Sequence, residues 1–152
     1  MESWKQNRIQ SAINGTNPMV IKALKGSFVV FGDVQFLPGY CVSLPKREVR
    51  LLNDLTMDER RDYLMDMTIV GDAIMEACQP TRVNYEILGN QDHFLHAHLF
   101  PRYEWESEDV KFMPVWAYDK SNWSNPENAY QKDAHGDIRI KIQSVLEKIY
   151  NY

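Results

Sequence analysis

The sequence predicts an α+β domain: an antiparallel sheet with helices packed on one face. Three observations carry this. A chain of 152 residues with 44% hydrophobic content suits one domain, residues 1–152, with a real core. Its β-branched and aromatic runs come in consecutive pairs joined by short Gly-, Pro- or Asn-containing loops, which favours antiparallel pairing. Stretches with apolar residues at helical spacing precede, separate and follow these pairs, as expected when helices cover a sheet.

Taken in order, Ser3 is a candidate cap for a short helix carrying Trp4, Arg8, Ile9, Ala12 and Ile13, closed by Gly15 and Pro18. Residues 27–31 (SFVVF) and 40–44 (YCVSL) read as a hairpin around the loop GDVQFLPG. The best-marked helix starts near Thr56, where TMDE offers a capping box between Thr56 and Glu59. Tyr63, Met67, Val70, Ile74 and Ala77 then form one apolar stripe, and Pro80 ends the helix. Residues 83–88 (VNYEIL), a GNQD turn and a strand through Phe100 make a second hairpin. Residues 104–128 are acidic and tryptophan-bearing, broken by Pro114 and Pro126, and show no regular period. From Asp137, the residues Ile138, Ile142, Val145 and Ile149 mark a final amphipathic helix. No internal repeat or low-complexity tract interrupts this order.

Charge and cysteine usage narrow the function. A formal net charge of −4 provides no basic field for a nucleic-acid polymer, so an anionic ligand must be held by local groups. Cys41 and Cys78 are isolated, and the N-terminus lacks a basic region followed by an apolar run. No apolar run approaches the roughly 20 residues of a membrane helix. The expectation is a soluble cytoplasmic protein without membrane or polymer partners.

The chemically informative stretch is HFLHAHLFPRY, residues 93–103. As a strand it places Phe94, His96, His98 and Phe100 on one face and Leu95, Ala97 and Leu99 on the other. If the second set is buried, both histidines face a site. Three readings stand side by side: ordinary exposed or hydrogen-bonded histidines, two ligands of a zinc site, or an imidazole nucleophile with an assisting neighbour. The metal reading lacks a third ligand at a diagnostic spacing, because His93, His135, Cys41 and Cys78 are scattered.

FLHAHLFPRY resembles the signature of the histidine-triad (HIT) superfamily of nucleotide hydrolases and transferases. LPGYCVSLPKREVRLLNDLTMDE resembles that superfamily's upstream pattern of a proline turn, an apolar strand, a Pro and Lys pair, and the start of a helix. Together the matches span about residues 28–103. Position 94, where the first triad histidine belongs, is Phe; His93 is one residue out of phase and faces the other way. The resemblance implies that His96 is the nucleophile and that His98 contacts the phosphate and leaving-group side. It also implies that the main-chain carbonyl at position 94 orients the ring of His96. It assigns Asp33 to the ribose, Asn84 to the nucleotide, and Asn90 with Gln91 to a turn presenting polar groups to phosphate. Each has a plainer alternative, since Asp33 and Asn90 suit turns and Asn84 a strand end. Arg102 reads as a phosphate contact or as a solvated surface group.

The resemblance therefore implies a nucleotide hydrolase or nucleotidyl transferase acting at an α-phosphate through a nucleotidyl-histidine. Dinucleoside polyphosphates and nucleoside phosphoramidates are the expected substrate types. No protein-held metal or other cofactor is required, although Mg²⁺ can accompany a polyphosphate substrate, and a homodimer is expected. Two rivals are a nucleotide-binding or regulatory protein without turnover and an HxH metalloprotein.

Overall fold

In the computed structural model, which describes residues 2–149, Asn7 caps the first helix. Its side-chain oxygen accepts a 3.0 Å bond from the Gln10 N–H, and α1 runs Arg8–Asn14; Ser3 instead opens a separate 3-10 turn. Gly15 closes α1 at φ 75°, a left-handed geometry that glycine adopts without steric cost. The next element, β1 (Val20–Ala23), was not expected. Its four residues lie between Pro18 and Gly26 and are too short to display a period.

The strands that follow are β2 (Ser27–Phe31) and β3 (Cys41–Pro45), then α2 (Met57–Cys78), β4 (Arg82–Glu86) and β5 (Ala97–Arg102). All pairings are antiparallel, in the order β1-β2-β3-β5-β4. The two expected hairpins are thus joined edge to edge through β3 and β5. The histidine strand begins later than its alternation suggested, at Ala97, and it runs on through Pro101. Proline is tolerated there because β3 pairs with β5 only as far as Leu99, so no partner on that side awaits an N–H.

Thr56 and Glu59 form the expected reciprocal cap, each accepting the other's backbone N–H at 3.2 Å. The α2 stripe of Tyr63, Met67, Val70 and Ile74 is buried. One sheet face meets this helix. The Tyr63 hydroxyl donates to the Ser43 carbonyl at 2.8 Å, and the Ser27 hydroxyl donates to Asp66 at 2.8 Å. Leu95, Ala97 and Leu99 join this core; Leu95 and Leu99 are 2% and 0% exposed, a burial that contributes about 1.5–3 kcal/mol each. The last helix, α5 (Lys132–Ile149), starts five residues before Asp137 and packs Ile142, Val145 and Leu146 into the same core.

The opposite face carries one line of residues across the sheet, in register: Val30, Val42, His98 and Glu86. Residues 103–131 fold back toward this face. Within them lie α3 (Glu108–Lys111) and α4 (Ser121–Ser124), and Val115 is buried against Leu37, Tyr40 and Phe100. The segment is tied to the loop after β2 by Gln35 N–H to Asn128 carbonyl and Tyr130 N–H to Asp33 carbonyl bonds, of 2.7 and 2.8 Å. No helix among the described residues is long and apolar enough to cross a membrane.

Candidate active site

Two-residue alternation places Phe94, His96 and His98 along one cleft of about 550 Å³, whose floor includes Val30, Val42 and Leu44. His96 lies just before β5 and is buried. Its Nδ1 is 2.8 Å from the carbonyl oxygen of Phe94. A carbonyl can only accept, so Nδ1 carries a proton, and the lone pair of the imidazole form lies on Nε2. Phe94 also packs on the ring, at a centroid distance of 4.5 Å.

His98 stands 4.8 Å from His96, ring centre to ring centre, with the planes nearly perpendicular. The Tyr40 hydroxyl lies 2.6 Å from its Nδ1. Burial, assisted by the neighbouring His96, pushes the His98 pKa down to about 4, so the ring is neutral at physiological pH. Burial first, and then the charge of Asp33, push the Tyr40 phenol well above its ordinary value, so it keeps its proton. The buried Tyr40 hydroxyl has no other hydrogen-bond partner among the described residues, so donating its proton to Nδ1 satisfies it and puts the N–H of His98 on Nε2. One histidine presents a lone pair, the other a hydrogen-bond donor. Tyr40 is held in place by stacking on Phe100 at 4.0 Å, and a Cβ at Gly32 would come within 2.2 Å of its ring.

Asp33 lines the cleft, but not as a lone carboxylate. Arg8 from α1 grips both of its oxygens, at 3.1 and 2.6 Å. Asn90 and Gln91 line the cleft from the loop between β4 and β5, together with Asp92. Asn84 does not. It belongs to a separate groove of about 700 Å³, and its side-chain oxygen accepts a 3.0 Å bond from Arg102. The reason lies in the pairing: Asn84 sits opposite Phe100, two positions beyond His98, where residues 103–114 cover the sheet.

Arg102 is neither a phosphate contact nor solvated. It is 5% exposed and donates to Glu106, Asn84 and the carbonyls of Val110 and Met113. Burial opposes the charge on Glu106, but bonds from Arg102, the Tyr103 N–H and Tyr118 outweigh it and hold the carboxyl below its ordinary value. This buried pair anchors the segment that brings Trp116 and Trp123 to the cleft.

Sequence reasoning passed over Tyr40, Arg8, Trp116 and Trp123. Only Tyr40 left a usable signal, because alternation puts it on the same face as Val42. Among the described residues no three His, Cys, Asp or Glu side chains gather where they would hold a metal ion, so His96 and His98 lack the third ligand of a zinc site.

No protein-family model matches the sequence, and no curated protein does either. Solved structures do. A histidine triad protein of Marinobacter aquaeolei superposes with a TM-score of 0.71 at 20% identity, over 85% of this chain and 88% of its own. A hypothetical histidine triad nucleotide-binding protein of Sulfolobus tokodaii gives 0.71 at 15% identity, over 94% and 93%. The diadenosine triphosphate hydrolase of Plasmodium falciparum gives 0.61 at 14% identity, over 87% and 78%. The chain therefore has the histidine-triad fold, as the motif around His96 implied.

Proposed function

We propose that this protein is a nucleotide hydrolase or nucleotidyl transferase acting at the α-phosphate of a nucleoside phosphate derivative, such as a dinucleoside polyphosphate or a nucleoside phosphoramidate. The observation that supports this reading most directly is the 2.8 Å contact from His96 Nδ1 to the Phe94 carbonyl. It leaves Nε2 as a nucleophile in a cleft of nucleotide size. Nε2 attacks phosphorus, an N–P bond forms, and the bond to the leaving group breaks with its electron pair on that group; a phosphate departs as the anion, and an amine takes up a proton from solvent as it leaves. Water then attacks the nucleotidyl-histidine and releases a nucleoside monophosphate. His98, kept neutral, serves as a hydrogen-bond donor to the phosphoryl or leaving-group oxygen or nitrogen; an acid with so low a pKa would be almost wholly deprotonated at pH 7.

In this reading Asp33 meets the ribose hydroxyls with lone pairs that Arg8 does not use, and Asn90 and Gln91 face the phosphate. Asn84 acts from outside the cleft, through Arg102. No protein-bound metal is needed, and Mg²⁺ enters only with a polyphosphate. We expect a cytoplasmic homodimer whose sheet extends across two chains.

The test uses substrate labelled at the α-phosphate, quenched early and examined for an acid-labile, base-stable phosphoramidate on the protein. The adduct should form in the parent and be absent from His96→Ala. Nucleotide binding without any turnover would instead favour a regulatory binding protein.

A further inference from the structure

At the end of the cleft away from Glu86 lies a buried amide that the mechanism does not use. Asn17 lines the cleft, yet it is only 6% exposed. Its place follows from the sheet: Val20 pairs with Val30, and the Phe31 N–H donates to the Met19 carbonyl at 2.8 Å. Residues 17–19 therefore run beside residues 31–33, and Asn17 lies on the β1 side of Asp33, away from the histidines.

The amide is held in one orientation. The Met19 N–H meets one of its side-chain atoms at 2.9 Å; an N–H can only donate, so that atom is Oδ1 and Nδ2 points the other way. Nδ2 carries two N–H groups. One reaches the Arg8 carbonyl at 3.4 Å, beyond the usual range of such a bond, and the other has no acceptor among the described residues. A donor so buried and so poorly matched is costly until a ligand supplies an oxygen. The other groups at this end do not compete for that oxygen, since Met19 and Val30 are apolar and the Arg8 guanidinium is taken up by Asp33.

Strand order then sets the course of a nucleotide. With the α-phosphorus at His96 and His98 and the ribose at Asp33, just past β2, the base continues toward β1, over Val30 and Met19, to Asn17. Resting on the functional reading above, we propose that Asn17 reads the base and selects one with a carbonyl, in place of an amino group, on the edge away from the sugar. Guanine, hypoxanthine and uracil have that oxygen. Adenine and cytosine carry an amino group there, which would set donor against donor and leave the buried N–H unmatched.

The experiment compares inosine and adenosine phosphoramidates of one shared alkylamine, so that the two differ only along the purine edge and leaving-group chemistry cancels. In the unmodified protein kcat/KM should favour the inosine compound by about tenfold, the scale of one hydrogen bond gained and one buried donor satisfied. Asn17→Ser keeps an oxygen for the Met19 N–H and deletes the amide donor, so the ratio should fall toward one. Asn17→Asp keeps Oδ1 and puts an acceptor where the donor was, so the ratio should invert in favour of adenosine; an asparagine that only shaped the turn would give no inversion. Equal rates in the parent protein, a preference for adenosine there, or a ratio unchanged in both variants would each overturn the proposal. If neither compound releases nucleoside monophosphate, the hydrolase reading fails separately. Calorimetric affinities of the same two compounds then judge the base contact, with tenfold tighter inosine binding supporting it and equal binding overturning it.

Discussion

The Tyr40 hydroxyl lies 2.6 Å from Nδ1 of His98, on a ring for which Gly32 leaves room. This contact decides which nitrogen of His98 carries the proton, and so whether the cleft receives a donor or an acceptor. Replacing Tyr40 by Phe keeps the stacking on Phe100 and removes only the donor. We expect kcat to fall about fivefold with KM nearly unchanged, since a single hydrogen bond nets about 1 kcal/mol. Nitrogen-15 NMR should show His98 passing from one tautomer to a mixture. A single tautomer persisting in Tyr40→Phe would place its control elsewhere.

Acid should weaken the fold through the same residue. Burial, with His96 beside it, lowers the His98 pKa from 6.5 to about 4. Between those values the unfolded chain binds a proton that the folded one does not, so stability is full above pH 6.5 and declines as pH falls toward 4. In His98→Gln this part of the decline should vanish. Denaturant unfolding of both proteins across that window measures it, and parallel curves would count against the assignment.

Phe94, where the motif resemblance places a histidine, should matter less to catalysis than the missing imidazole suggests. His96 is oriented by the main-chain carbonyl at position 94, which every side chain leaves in place. Phe94→Ala should still form the nucleotidyl-histidine, with kcat/KM reduced less than about tenfold through lost packing on the ring. His96→Ala should lose adduct altogether, and early-quench labelling of the two variants separates the cases.

What the sequence disclosed follows from the range of each signal. Capping of α2 by Thr56 and the alternation from Phe94 to Phe100 are local, and both hold in the structure. The strand β1 stayed hidden because four residues cannot declare a period. Arg8, Trp116 and Trp123 reach the cleft only through tertiary contacts across tens of residues. Asn84 looked suitable by type and order, yet pairing opposite Phe100 sets it beyond the cleft's end.

Arg102 shows the same limit, and it yields a stability test. Its partner Glu106 lies four residues on, and the side chains of both are almost wholly buried. Removing one member strands the other's charge, so Arg102→Met should destabilise the protein by about 3–5 kcal/mol. The double variant Arg102→Met with Glu106→Gln should recover part of that loss. A single variant as stable as the parent would show that the pair does not anchor residues 103–117.

Asp33 offers the sharpest check on the nucleoside end. Its carboxylate has about four acceptor positions, and the two bonds from Arg8 leave lone pairs for a ribose diol. Arg8 thus holds the carboxylate at a fixed angle while a substrate binds its free side. Replacing Asp33 by Ala removes that acceptor in ground and transition states alike, so KM for a ribonucleotide substrate should rise about tenfold while kcat changes little. The penalty should be smaller for the 2′-deoxy analogue, which lacks one of the hydroxyls. Arg8→Ala frees the carboxylate without removing it, so it should raise KM less than Asp33→Ala. Adding it to Asp33→Ala should change KM little further, since its effect runs through Asp33. Both side chains are partly exposed, at 29% and 39%, and their pairing contributes at most about 1 kcal/mol to stability, so the variants should fold normally. A ribonucleotide KM unmoved by Asp33→Ala would reject the ribose contact and recast the Arg8–Asp33 pair as a tie between α1 and the loop after β2.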